Sequence, residues 1–175
     1  MTVRKQTEEK KRFSGARVTV IGAQRSGRAA AHLLQDRDID VLLSDNDPAA
    51  LPDETAAQLR DLGITVELGE HSDKVLESDL AVISPGIPDT AEVVRAIDDH
   101  GIPAISEIEL ASWFTQDPII AVTGSNGKTT TSTLVAEFLN FGGFAPKLCG
   151  NIGHPFAQAV REEPFTSKKK FLWSK

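Results

Sequence analysis

The sequence has little cysteine and no excess of basic charge. Its single cysteine, Cys149, excludes an intramolecular disulfide and a zinc site built from several cysteines, which fits a reducing compartment. The formal net charge of −6 gives no general electrostatic attraction to nucleic acid or to an anionic membrane. We therefore expect neither as a partner, and any phosphate binding has to come from local groups.

Long apolar runs are also missing. No run approaches the ~18 residues of a membrane span, and the first fifteen residues are charged throughout, without the apolar segment of a signal peptide. We expect a flexible lead-in over residues 1–15 and a cytoplasmic protein. With 40% hydrophobic and 25% charged residues, the composition is that of an ordinary globular chain.

Short β-branched runs alternate with segments of helical period, which predicts an α/β fold with a parallel sheet. The first part of the chain has predicted strands at 17–22, 40–45, 64–68 and 80–84 and near PAIS, and predicted helices at 27–37, 52–63 and 89–101 and through EIELASWF. After TQDP the pattern restarts with a buried strand IIAVTG, a helix ending at paired glycines, a strand PKLCGN and a helix HPFAQAVREE.

We place a domain boundary near Gln116. It separates a Rossmann-like parallel-sheet domain, residues 16–116, from the incomplete start of a P-loop ATP-binding α/β domain, residues 117–164. The remaining tail, residues 165–175, has neither strand alternation nor helical period, and its triple lysine indicates a solvated end.

The segment GAQRSG, residues 22–27, lies between a predicted strand and a predicted helix, where a dinucleotide fold binds pyrophosphate. Gln24 replaces the middle glycine of that fingerprint, so an NAD-dependent oxidoreductase is a weak alternative. Arg25 and Ser26 offer donors to a diphosphate instead, and Asp45 stands where an acidic residue accepts from a ribose hydroxyl. A tight turn whose last glycine only allows close helix–strand packing is the competing interpretation.

Two further loops follow predicted strands. SPGI comes at the carboxyl end of the fourth strand, where ligands bind in open α/β folds, although alone it is more often a plain turn. TGSNGKTT has the strand–loop–helix context of a phosphate loop. Gly124 and Gly127 let amides converge on phosphate, Lys128 can neutralise its charge, and the Thr129 hydroxyl can bind Mg²⁺.

In order, IGAQRSG, SD at 44–45, SPGI, EIEL, AVTGSNGKTTT and GNIG resemble the motifs of the Mur ligase family, from about Arg17 to Glu163. The resemblance is closest to members that add D-glutamate to UDP-N-acetylmuramoyl-L-alanine in peptidoglycan synthesis. It implies ATP and Mg²⁺ as cofactors, an acyl phosphate formed on the substrate carboxylate, and attack by the D-glutamate amine. It implies a monomeric cytoplasmic enzyme. In this family the phosphate loop is short, which accounts for Val122 where the strict pattern has glycine.

The resemblance also implies site residues. The UDP-substrate residues are Arg25, Ser26, Asp45, Gly86 and Asn151. The ATP-phosphate residues are Gly124, Ser125, Asn126, Gly127, Lys128, Thr129 and Thr130, with Lys128 as the catalytic residue and Thr129 as the metal ligand.

The sequence departs from the family after GNIG. The family's next strand carries a metal-binding glutamate, and a later C-terminal domain places the incoming amino acid, but FTSKKKFLWSK resembles neither. We therefore expect a truncated ligase that is inactive by itself, with its D-glutamate site absent. A stand-alone UDP-sugar-binding module without catalysis is the alternative.

Overall fold

The computed structural model describes residues 13, 15–150, 154–162 and 173–174. Most of the predicted lead-in, Asn151 and most of the tail lie outside these residues. The strands are β1 (Arg17–Ile21), β2 (Asp40–Asp45), β3 (Thr65–Leu68), β4 (Leu80–Ile83), β5 (Ala104–Ser106), β6 (Ala121–Val122) and β7 (Trp173–Ser174). The helices are α1 (Arg25–Gln35), α2 (Asp53–Asp61), α3 (Glu92–Asp99), α4 (Glu107–Trp113), α5 (Lys128–Phe141) and α6 (Phe156–Arg161), with a 3₁₀ helix at Asp73–Glu77.

The first five strands form one parallel sheet in the order β3-β2-β1-β4-β5, which confirms the predicted fold class. Val18 pairs in register with Val41 on one side and with Leu80 on the other. The strand order reverses between β1 and β4. In open parallel sheets this reversal leaves a crevice at the carboxyl ends of the strands, where ligands bind.

Side chains alternate along each strand, so the sheet contributes apolar residues to a core on each of its two faces. Val18 and Val20 of β1 belong to the larger core with α1, whose Leu33 and Leu34 are fully buried as the helical period predicted. Ile21 points to the smaller core on the other face. That core also contains Leu42, Val75, Ala81 and Ile97.

The predicted elements before residue 116 are all present, with ends displaced by at most three residues. The largest displacement is at α3, which begins at Glu92 rather than at residue 89. The amide of Ala91 donates to the carbonyl of Pro88 at 2.9 Å, so a turn occupies the start of the predicted helix.

Helix α6 packs on the first sheet's helices although it follows the predicted boundary. Phe156 and Ala157 are buried in the larger core, and the amide of Ala157 donates to Glu107 Oε1 at 2.5 Å. Phe13, from the predicted lead-in, is also buried and stacks on Phe114 with ring centroids 5.6 Å apart. The boundary near Gln116 stays a prediction; the structure adds that α6 contributes to the core of the residues before it.

The second sheet differs from the prediction in three ways. The expected buried strand IIAVTG is reduced to β6, in which Ala121 is exposed, because a two-stranded sheet does not cover its faces. Its parallel partner β7 comes from the tail, where we predicted no strand. PKLCGN forms no strand among the described residues and contributes only an isolated bridge between Cys149 and His154.

Helix α5 ends near the predicted paired glycines and exposes large apolar side chains. Phe138 and Phe141 are 75% and 96% exposed. In the part of the chain that the structure describes, no helix is long and apolar enough to cross a bilayer.

Candidate functional site

The first glycine loop leads from β1 into α1 beside the strand-order reversal. Helix α1 begins at Arg25, two residues earlier than predicted, so Arg25 and Ser26 occupy its first turn rather than the loop. Gln24 is the N-cap residue in an extended conformation, and its side chain makes no capping hydrogen bond. Amides in the first turn of a helix have no acceptor within the helix, and with the helix dipole they favour an anion.

The glycines of this loop are required by close packing. A Cβ on Gly27 would lie 1.7 Å from the carbonyl oxygen of Gly22, and a Cβ on Gly22 would lie 2.9 Å from Ser84 Cβ. Ser84, the first residue of SPGI, also donates through Oγ to the Gly22 carbonyl at 3.2 Å. These distances support the interpretation that Gly27 allows close helix–strand packing. The same close packing brings the SPGI turn against the first loop.

Asp45 connects two loops at the same edge of the sheet. Its carboxylate, only 8% exposed, accepts from the amide of Ala23 at 2.7 Å and from the amide of Asp47 at 3.0 Å. The sequence predicted an acceptor for a ribose hydroxyl, and the structure shows a side chain that orders the glycine loop. An ionised carboxylate has about four lone-pair positions, so both roles are compatible.

A polar cluster beside Asp45 was missed by sequence reasoning. His71 Nδ1 lies 2.8 Å from Ser44 Oγ, and Ser72 Oγ donates to Glu67 Oε1 at 2.5 Å. Burial lowers the pKa of His71, while the charges of Asp45 and Glu67 act in the opposite direction. Ser44 and Glu67 lie near the carboxyl ends of the neighbouring strands β2 and β3, and His71 and Ser72 follow β3. That shared edge was the only sequence signal that could have found them.

Gly86 lies in the SPGI turn and is exposed. No atom lies within 4 Å of the position that a Cβ would take there, so packing does not require glycine. Arg25, Ser26, Asp45 and Gly86 thus lie in segments that follow β1, β2 and β4, at one end of one sheet. Asn151, the fifth predicted substrate residue, lies outside the described residues.

The second glycine loop precedes α5 and is exposed from Thr123 to Gly127. Gly127 is the N-cap residue in the left-handed conformation, with φ of +75°. A side chain there would be strained, although the space beside it is open. No side chain caps α5 at this end, so the first-turn amides of Lys128, Thr129 and Thr130 offer the donors that a phosphate needs.

Lys128 folds back over this loop. Its ammonium group donates to the carbonyl of Gly124 at 2.5 Å and lies 3.4 Å from the carbonyl of Ser125. The positive charge is therefore held at the carbonyls of the same loop. Ser125 and Asn126 are exposed beside it, so the predicted phosphate residues lie together on one accessible loop.

The Thr129 side chain is exposed in the first turn of α5. Among the residues that the structure describes, no group of three histidine, cysteine or acidic side chains could hold a metal ion. A metal at this loop would therefore depend on the Thr129 hydroxyl and on oxygens of the bound phosphates, which is the coordination that Mg²⁺ accepts.

Comparisons with known proteins identify relatives of this chain. The family described as the MurD N-terminal domain matches residues 17–93. Two curated relatives carry the name UDP-N-acetylmuramoylalanine–D-glutamate ligase. The protein from Chlorobium luteolum is 46% identical over 154 residues, covering 86% of this chain and 33% of its own length. The protein from Chlorobium phaeobacteroides is 46% identical over 152 residues, covering 85% and 32%.

A solved structure is similar in fold. The murein peptide ligase from Psychrobacter arcticus superposes with a TM-score of 0.54 at 20% identity, over 91% of this chain and 37% of that protein. The chain thus spans about a third of the length of the curated relatives it matches.

Proposed function

Residues 17–93 match the MurD N-terminal domain, and from this premise we propose that the chain provides the substrate-binding and phosphate-binding part of a ligase that joins D-glutamate to UDP-N-acetylmuramoyl-L-alanine. One observation carries the proposal. The uncapped start of α1, the Asp45 carboxylate and the open turn at Gly86 lie at the carboxyl ends of β1, β2 and β4, and the strand order reverses between β1 and β4, where an open parallel sheet binds its ligand.

In the proposed complex the diphosphate of the UDP group lies at the first turn of α1. The amides of Arg25 and Ser26, the Ser26 hydroxyl and the Arg25 guanidinium donate to its oxygens. Asp45 keeps the loop in place and accepts from the ribose. Gly86 leaves room for the ligand beside the SPGI turn, and Asn151 contacts the substrate.

The second loop is proposed as the site of ATP. The amides that follow Gly127 and the loop residues Gly124 to Asn126 hold the phosphates, and the Lys128 ammonium leaves the loop carbonyls to neutralise phosphate oxygens. Thr129 holds Mg²⁺ through its hydroxyl, with Thr130 in the same turn. Bound ATP would supply the phosphoryl group that activates the substrate carboxylate. The residues present fit both groups.

Calorimetry tests the first site. Titration of the chain with UDP-N-acetylmuramoyl-L-alanine should release heat, and Arg25→Ala should weaken binding by about 10- to 100-fold, because a charge-assisted hydrogen bond contributes roughly 1.5–3 kcal/mol. Arg95→Ala is the matched control, since Arg95 is an exposed arginine on α3. A folded sample that gives no heat would end the substrate-binding proposal.

A second titration tests the phosphate loop. Lys128→Ala should abolish measurable ATP binding, and Thr129→Val should remove the dependence of ATP affinity on Mg²⁺. Thr131→Val is the control for Thr129, because Thr131 is an exposed threonine two residues farther along the same helix. ATP affinity that responds equally to both threonine variants would refute the metal role.

The remaining parts of the proposal concern the chain by itself. We propose that it is a cytoplasmic monomer and that, mixed with ATP, D-glutamate and the UDP substrate, it forms no product. Chromatographic detection of product that is lost in Lys128→Ala would contradict the last point.

A further inference from the structure

A groove lies between α2 and α6, with α1 as its floor. Its volume is about 480 Å³, within the range of small-molecule sites. Arg28 and His32 enter from α1, Gln58 from α2, and Arg161 from α6. The groove therefore extends along α1 from Arg25, its first residue, and involves a helix that the proposed UDP site does not use.

The side chains that line this groove are strongly biased in charge. Arg25, Arg28 and Arg161 contribute three guanidinium groups and His32 and His154 two imidazoles, while no acidic residue is among the described lining residues. The chain as a whole carries a net charge of −6. Asp36, at the end of α1, forms an ion pair with Arg161 at 2.6 Å and neutralises part of this positive charge.

Arg28 carries an unsatisfied donor. Its Nε atom is buried and has no hydrogen-bond partner among the described residues. A buried donor without an acceptor costs about 1–3 kcal/mol, and Arg28 is also one of the residues that line the groove.

The titration of His32 agrees with a positive field in the groove. Burial lowers its pKa most, and the charges of Arg161 and Arg28 lower it further, while Asp36 acts in the opposite direction. Protonating His32 would add a positive charge beside the guanidinium groups of Arg28 and Arg161. An anion bound in the groove would oppose this lowering of the His32 pKa.

We propose that this groove is a binding site for a small anion with linked phosphates; it adjoins the proposed UDP site, with which it shares Arg25, and extends from there to Arg161 of α6. Guanidinium groups match phosphate oxygens in fork geometry, and a bound phosphate places an acceptor beside the Arg28 guanidinium. Several arginines around a space of this volume fit two or three linked phosphates better than one small ion. The proposal does not depend on the ligase activity.

The test is calorimetric titration of the whole chain with inorganic pyrophosphate at fixed ionic strength and in saturating UDP. Arg28→Gln and Arg161→Gln should each weaken pyrophosphate binding at least tenfold. Arg95→Gln removes an arginine from α3, outside the groove, and should change the affinity less than twofold.

A further variant avoids disturbing the fold. Gln58→Glu leaves every arginine in place and adds a carboxylate on the exposed wall of the groove, so it should also weaken binding. The proposal is overturned if these three variants bind pyrophosphate as the wild type does, if Arg95→Gln loses as much affinity as they do, or if no pyrophosphate binds once UDP is saturating.

Discussion

The substitution Gly27→Ala gives the sharpest test of how the first loop is built. The added Cβ would lie 1.7 Å from the Gly22 carbonyl oxygen, which is 1.3 Å inside the 3.0 Å limit that real Cβ contacts essentially never cross. The obstacle is backbone, so α1 has to move away from β1. Overpacking costs about 1–3 kcal/mol and occasionally more, whereas alanine in a helix gains only about 1 kcal/mol over glycine. We expect a net loss of about 2 kcal/mol.

Thermal and urea unfolding measure this loss. For a chain of this size about 2 kcal/mol corresponds to a fall in Tm of roughly 4–8 °C. Gly86→Ala is the matched control: no atom lies within 4 Å of its added Cβ, so its stability should stay within about 0.5 kcal/mol of wild type. If Gly27→Ala melts within a degree of Gly86→Ala, the close approach of α1 to β1 is wrong.

Three other substitutions or reactions test the same structure. Asp45→Ala leaves the amides of Ala23 and Asp47 without their acceptor and should cost about 2 kcal/mol in urea unfolding; an unchanged midpoint would contradict the loop-ordering role. Burial raises the pKa of Glu107, so its contribution to stability is greatest at low pH and falls as the pH rises from the ordinary glutamate value to the higher folded one. Glu107→Gln should therefore gain stability relative to wild type across that interval, and parallel pH profiles would argue against it. Burial, with the charge of Glu107, raises the pKa of Cys149 to about 12. Because only the thiolate reacts, alkylation at pH 8 should be about 10³-fold slower in the folded chain than in urea. Equal rates would show that the Cys149 thiol is accessible in the folded chain.

The prediction from sequence was accurate wherever local pattern and core burial agree. The central strands β1, β2 and β4 are short apolar runs buried on both faces, and α1 has its apolar residues on one face, so period alone identified them. It was wrong for IIAVTG, because an apolar run predicts a buried strand only if neighbouring strands cover it, and among the described residues β6 pairs only with β7.

The candidate site residues stay predictions, and the structure adds where they lie and what they contact. Arg25, Ser26 and Gly86 were found by motif, and they lie where a ligand could approach. The ordering role of Asp45 depends on its distance to the Ala23 amide, 22 residues away along the chain, which no local pattern encodes. The groove around Arg28 was not found for the same reason: α6 reaches it from more than a hundred residues later in the sequence.

The sequence by itself determined the alternation of strands and helices, the two glycine loops and the order of motifs that relates the chain to the Mur ligases, since these depend on residues close together in the chain. The tertiary structure decided which distant groups meet. It brings the Glu107 carboxylate within hydrogen-bond distance of the Ala157 amide, and it forms an arginine-lined groove between α2 and α6. Burial and charge act through space, and only the packed chain fixes those distances.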